Sequence, residues 1–355
     1  STSKSPNARL GVLRIHLENY EVSSGEEIMG TIGLVVHEPI NVDTLNIEFS
    51  GDMECKFTED NTKIANQRIP MTHRDHKVIV CFSRPLYMWP DRVIMPGQYS
   101  LPFTLRVPSG IPSSLNWSHH HKLRDRMLGD TETTARVTYK ISVWLMPGIQ
   151  DSISIGVHQR EGLPSYETSH NKTAGVEYWC SNRGQISYNI ELNKPSYYIG
   201  EDMHIRLSMD CSQARLRPQS IRAELRYRMQ LSTTFHSDVT QGIMDTNTVA
   251  VDPTAKVQDF NLHLRLLPDR IGSMSTLQSD LIKCDFFVVI EPVNDSCCLC
   301  YSDFSSEFKI VVNSKLPPQA LPVPPPNWSP SELSRCTIEF GKVDEKSAPS
   351  APPLE

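Results

Sequence analysis

Apolar residues recur at every second position along most of this chain. Leu13, Ile15 and Leu17 alternate with Arg14 and His16, and Leu45, Ile47 and Phe49 alternate with Asn46 and Glu48. A period of two places one set of side chains on a single face of an extended backbone, so each run reads as a half-buried β-strand. The alternation returns at Leu101/Phe103/Leu105/Val107 and at Val137/Tyr139/Ile141/Val143/Leu145. A second set starts near residue 185, with Ile186/Tyr188/Ile190/Leu192, Met203/Ile205/Leu207/Met209, Ile221/Ala223/Leu225/Tyr227/Met229, Phe260/Leu262/Leu264/Leu266, Ile282/Cys284/Phe286/Val288/Ile290 and Phe308/Ile310/Val312. Breaker clusters such as Met95-Pro96-Gly97 and Pro108-Ser109-Gly110 close the runs, as turns between antiparallel strands do. No stretch carries an amphipathic helical period. The expected class is all-β, with sandwiches favoured over small barrels by the length of the strand-bearing segments.

At about 150 residues per domain, a chain of 355 residues predicts two domains. Hydrophobic residues are 39% and charged residues 21%, enough to bury two cores without disulfide staples. The reading divides the chain into an N-terminal sandwich over 1–160, a linker over 161–179, a C-terminal sandwich over 180–314 and a tail over 315–355. The halves echo each other. Asn19-Tyr20-Glu21-Val22-Ser23-Ser24-Gly25-Glu26-Glu27-Ile28 opens one, and Lys194-Pro195-Ser196-Tyr197-Tyr198-Ile199-Gly200-Glu201-Asp202-Met203 opens the other. Both run from a strand through a Tyr-containing loop and Gly-Glu into another strand, which suggests a duplication; the acid after the glycine is expected to stay solvated. The tail holds ten prolines and few aliphatics, so it reads as disordered or polyproline-II, with one short helix conceivable from the capping box at Ser329-Pro330-Ser331-Glu332.

A net charge of −6 excludes the basic footprint of a nucleic-acid binder. No apolar leader and no run of about 18 apolar residues occurs, so a soluble, cytoplasmic protein is expected. Nine cysteines, an odd number spread along the chain, read as reduced thiols.

Five segments in order carry a family resemblance: Gly30 to Val36 after the Ser-Gly-Glu-Glu turn; Pro96-Gly97-Gln98-Tyr99-Ser100-Leu101-Pro102-Phe103-Thr104-Leu105 followed by Pro108-Ser109-Gly110-Ile111-Pro112-Ser113-Ser114; Val137-Thr138-Tyr139-Lys140-Ile141-Ser142-Val143; Tyr178-Trp179-Cys180 leading into Gly184-Gln185-Ile186-Ser187-Tyr188; and Tyr198-Ile199-Gly200-Glu201. Together, over roughly residues 9–315, they resemble the arrestin-domain-containing proteins, the α-arrestins. Visual and β-arrestins carry an amphipathic helix before the segment matching Pro96 to Phe103. Here Pro85, Pro90 and Pro96 forbid one, which places the resemblance with the α-arrestin branch. The charged polar core of the visual and β-arrestins finds no counterpart here. The resemblance implies a non-enzymatic adaptor that grips the cytosolic tails of membrane proteins and is recruited to the plasma membrane or endosomes. A coat or retromer-like scaffold subunit of the same fold is the alternative.

No nucleophile elbow, His-Glu-x-x-His, phosphate loop or dinucleotide fingerprint occurs, so no catalytic residue and no cofactor is expected. His119-His120-His121 and Cys297-Cys298-x-Cys300 with Cys284 supply soft ligands at spacings unlike a zinc finger, and no metal is expected. Three sets of residues are candidates for binding. Leu163-Pro164-Ser165-Tyr166 fits the Leu-Pro-x-Tyr variant that WW domains of ubiquitin ligases take, with Tyr166 packed at the domain interface as the plainer reading. The tail offers Pro325-Pro326-Asn327-Trp328 where the family carries Pro-Pro-x-Tyr. Pro349-Ser350-Ala351-Pro352 resembles the late-domain motif read by endosomal sorting machinery, with chance in a proline-rich tail as the alternative. Arg222, Arg226 and Arg228 share one face of a strand and could receive acidic tails or anionic headgroups, although Glu224 among them also fits ordinary solvation.

Overall fold

The computed structural model describes residues 10–59, 63–64, 67–68, 71–122, 130–146, 148–159, 166–179, 181–267, 274–294, 299–302, 304–313 and 328–339. Among them there is no helix. The first half contributes β1 (Gly11–Leu17), β2 (Glu21–Ser23), β3 (Glu27–Val36), β4 (Thr44–Glu59), β5 (Lys63–Ile64), β6 (Gln67–Arg68), β7 (Met71–Met88), β8 (Gly97–Arg106), β9 (Leu115–Lys122), β10 (Asp130–Met146) and β11 (Ile149–His158). The second half adds β12 (Ser169–Tyr178), β13 (Ser181–Leu192), β14 (Ser196–Tyr198), β15 (Asp202–Asp210), β16 (Ser220–Ser232), β17 (Ser237–Ala250), β18 (Val257–Arg265), β19 (Leu277–Gln278), β20 (Ile282–Val293), β21 (Leu299–Ser302) and β22 (Ser306–Asn313). The tail contributes β23 (Ser331–Glu332) and β24 (Cys336–Glu339).

These strands form two sandwiches. In the first, a sheet ordered β1-β3-β8-β23 faces one ordered β2-β11-β10-β4-β7, with β24 also on β8 and β9 also on β10. In the second, β18-β15-β13-β12-β21 faces β14-β22-β20-β16-β17, with β19 on β20. The alternating runs supply the cores: Leu13, Ile32, Phe49, Phe103 and Tyr139 in the first, and Ile190, Leu207, Leu225, Phe286 and Phe308 in the second, are all almost wholly buried. Tyr139 is a core ring carrying a polar tip, and its hydroxyl donates to the Pro112 carbonyl at 2.8 Å.

The duplication read from Gly-Glu holds at atomic detail. Gly25 and Gly200 sit at φ of 85° and 94°, left-handed values that an L side chain adopts at a cost. In each copy a three-residue strand precedes the turn and pairs in parallel with the last strand of its half: β2 on β11 and β14 on β22. The acid after the glycine is not simply solvated. Glu26 accepts the Ser23 N–H at 3.1 Å, and Glu201 accepts the Tyr198 N–H at 2.9 Å, so each carboxylate closes its own turn.

Three boundaries differ from the sequence reading. The segment Ser169–Tyr178, placed in the linker, is β12 and pairs along its length with β13, so the second sandwich starts earlier. The tail is not extended solvent-bound chain throughout 315–355, because β23 and β24 pair in parallel with β8. Ser331–Glu332 is a strand and not the start of a helix. Within the capping box itself Ser331 and Glu332 meet an edge to pair with, and backbone bonds to β8 win over an isolated turn.

Candidate functional site

The edge of β8 is the feature most able to take a partner. Its outer side receives the tail, Cys336 opposite Phe103 and Ile338 opposite Leu105, with Ser331 opposite Tyr99. Between the two short strands the Leu333 N–H donates to the Ser100 carbonyl at 2.8 Å, and the break falls at Pro102, which brings no N–H to any neighbour. Ile338 is 4% exposed, Leu333 packs on the core, and the Ser329 N–H donates to Gln98 Oε1 at 2.8 Å. Trp328 lies over Gly33 of β3, so near that a Cβ there would stand 3.2 Å from the indole. The tryptophan that replaces tyrosine in the tail's Pro-Pro-x-Trp is therefore an anchor for this strand.

The opposite edge of the same sheet is closed differently. The Ile15 N–H of β1 donates to Asp151 Oδ2 at 2.9 Å, a carboxylate reaching over from β11. One edge thus carries a side-chain cap and the other a borrowed strand.

The arginine face is brought together as expected, but its charges are already matched. Arg222 pairs with Glu291 and lies 3.1 Å from Glu224, while Arg226 donates to Glu224 at 2.7 Å. Glu224 is 3% exposed, buried between the two arginine stems. Arg222, held by Glu291 and Glu224, titrates above the usual guanidinium value. Arg228 alone of the three has no ion pair among the described residues. Next to it an open depression of about 310 Å³ is lined by Phe287, Val289, Ile243 and Gly242, with Arg226 and Glu307 at the rim. A second depression, about 200 Å³, lies over polar residues of β13, β15 and β18. Neither encloses a catalytic pair. Among the described residues no group of three or more His, Cys, Asp and Glu could hold a metal ion, and no helix is long and apolar enough to cross a membrane.

Of the linker motif, Leu163, Pro164 and Ser165 lie outside the described residues. Tyr166 is within them, and the ammonium of Lys309 on β22 sits 5.6 Å from its ring centre. Its hydroxyl is buried, and burial pushes the phenol above its usual range. This seat is the packed alternative to a freely presented tyrosine. Pro349, Ser350, Ala351 and Pro352 lie outside the described residues, as do Cys297 and Cys298.

Two features escaped the sequence reading. The residues that join the sandwiches are scattered singles: Ser275 Oγ donates to the Ser114 carbonyl at 2.6 Å, and the Gln278 N–H to Gln159 Oε1 at 3.2 Å. Nothing in a linear pattern marks them. The docked tail could have been suspected from Ile338 and Thr337, a short alternating pair within an otherwise aliphatic-poor stretch.

Residues 14–147 match the family described as arrestin (or S-antigen), N-terminal domain, and residues 182–316 match the arrestin (or S-antigen), C-terminal domain. No curated protein matches the chain. The two matches fall in order on the two sandwiches and together span most of the sequence, so the chain belongs to the arrestin-domain-containing family.

Proposed function

We propose that this protein is an adaptor in membrane-protein trafficking, which grips extended cytosolic tails of cargo and hands them to ubiquitin-ligase and endosomal sorting machinery. The observation that carries the reading is the β8 edge. It takes up an extended segment through main-chain pairing with apolar side chains seated at intervals, the mode by which sheet edges bind peptides generally. Arrestin-family proteins are generally non-enzymatic, and the two open depressions on the C-terminal sandwich suit a binding role. Leu163–Tyr166 is the motif offered to WW domains, and it becomes available when Tyr166 leaves Lys309. Pro349–Pro352 is the motif offered to the sorting machinery, ten residues beyond the last docked tail residue. Arg228 is the cation left to meet an acidic partner or a peripheral membrane surface.

Capture from cells tests this. The full chain should retain membrane-protein tails together with ligase and sorting subunits. Tyr166→Ala should lose the ligase, and Pro349→Ala with Pro352→Ala the sorting subunit, while cargo remains bound. Recovery of all partners by the substituted chains would remove both motifs from the function, and failure to recover any membrane protein would remove the adaptor reading.

A further inference from the structure

The seam between the sandwiches is held mainly by neutral groups. Besides the Ser275–Ser114 and Gln278–Gln159 bonds, the Cys55 thiol donates to the Ser232 carbonyl at 3.7 Å, and the Ser279 hydroxyl to Met53 Sδ at 3.2 Å. The ion pair across it, Lys77 to Asp280 at 2.6 Å, lies at the solvated rim, where such pairs contribute little.

His158 is the titratable group set within this seam. It ends β11, and its carbonyl accepts the Ser24 N–H at 2.8 Å, which fixes its backbone. The residue is 8% exposed, yet neither ring nitrogen has a hydrogen-bond partner. From the second sandwich, Tyr198 of β14 meets the ring edge-on, with centroids 6.0 Å apart at 86°. From the first, the Glu21 carboxylate of β2 stands 3.8 Å from Nε2, and Glu26 of the β2–β3 turn adds a second negative charge. Behind Tyr198, Glu201 is already paired with Lys194 at 2.6 Å. Both carboxylates that face the ring therefore belong to the N-terminal sandwich. Its contact with the C-terminal one is aromatic.

We propose that His158 makes the seam proton-sensitive: the neutral ring packs on Tyr198 and keeps the sandwiches docked, whereas the protonated ring turns toward Glu21 and Glu26 and lets them part. A charged imidazolium cannot remain buried without a hydrogen bond, and the carboxylates recorded beside it, Glu21 and Glu26, lie on one side of the seam. Burial holds His158 below the usual imidazole range, with Glu21 and Glu26 opposing that effect. The sign follows. A group whose value is depressed in the docked state stabilises docking above the ordinary imidazole value of about 6.5, and that contribution is lost as pH falls below it.

Small-angle scattering of the full chain between pH 8 and 5.5, with the His158 ring followed by NMR, decides the matter. The expected result is a scattering profile that broadens below about pH 6.5, with the parted population rising by up to tenfold per pH unit. His158→Phe, which fills the space without titrating, should remove the response. A wild-type profile independent of pH, a His158→Phe variant that responds as wild type does, or a His158 ring titrating at or above the ordinary value overturns the proposal. Should the Phe variant fail to fold, Glu21→Gln carries the test. Losing that carboxylate should move the midpoint to lower pH, and an unmoved midpoint counts against the proposal.

Discussion

β8 and β18 occupy the same place in the two sandwiches, each paired on its inner side with the strand that follows the Gly-Glu turn: β8 with β3, and β18 with β15. Their outer sides are treated in different ways. β18 is met by its neighbour β17, with Asn247 Nδ2 donating to the His263 carbonyl at 2.9 Å and the Arg265 N–H donating to Asp245 Oδ2 at 2.7 Å. β8 is completed by a strand from the far end of the chain. An open edge invites pairing, and a duplicated fold has to dispose of it twice. The C-terminal copy does so with side chains of a neighbouring strand, the N-terminal copy with a strand from the tail.

The largest expected effect tests whether the copies are separate folding units. Phe49→Ala and Phe286→Ala each remove a buried ring and should destabilise their own sandwich by about 3–5 kcal/mol. Calorimetry should show an early transition of one half while the other melts where it did; one merged transition in both variants would mean that the seam makes a single cooperative unit. Next comes Ile338→Ala, which should cost about 2 kcal/mol of tail docking. Limited proteolysis should then cut near the tail while the C-terminal sandwich keeps its melting temperature. Tail cleavage no faster than in wild type would show that backbone pairing alone holds the strand. Arg226→Ala leaves the buried Glu224 with Arg222 as its one arginine partner and should cost the C-terminal sandwich about 2 kcal/mol, whereas Arg228→Ala stays within about 0.5 kcal/mol in urea denaturation. Equal losses would mean that Glu224 does not depend on its partner. Last, Gly25→Ala and Gly200→Ala should each cost about 1–2 kcal/mol, because both turns need the left-handed conformation. Clearly unequal losses would break the equivalence of the two turns.

The inner strands were legible, while the outer strands β7 and β17 were not, for a physical reason. β4, β10, β16 and β20 are covered on one face, so burial writes period two into their sequences. β7 and β17 are the edges of those same sheets and are mostly exposed, which leaves no apolar face to detect. Pro85 illustrates the point. It argued against a helix, yet it also sits within β7 opposite Asn46, a place that only an edge strand gives to proline. Alternation puts Arg222, Arg226 and Arg228 on one face, with Glu224 visible among them. That Glu291 also pairs with Arg222 was hidden, since it lies on a strand whose register no local pattern fixes. The Gly-Glu echo pointed to a duplication, but the return of the carboxylate to its own turn was missed because solvation is the ordinary fate of a glutamate.

The parallel strand on β8 also has a meaning in time. Ser329 and Gln98 are 231 residues apart, so β8 is made well before the strands that complete its edge. At synthesis rates of roughly 5–20 residues per second, the N-terminal sandwich spends on the order of 10–50 seconds with that edge uncovered. Each newborn molecule thus passes through an interval in which its β8 edge is open to whatever extended chain is nearby, and the tail is its own last competitor for the place.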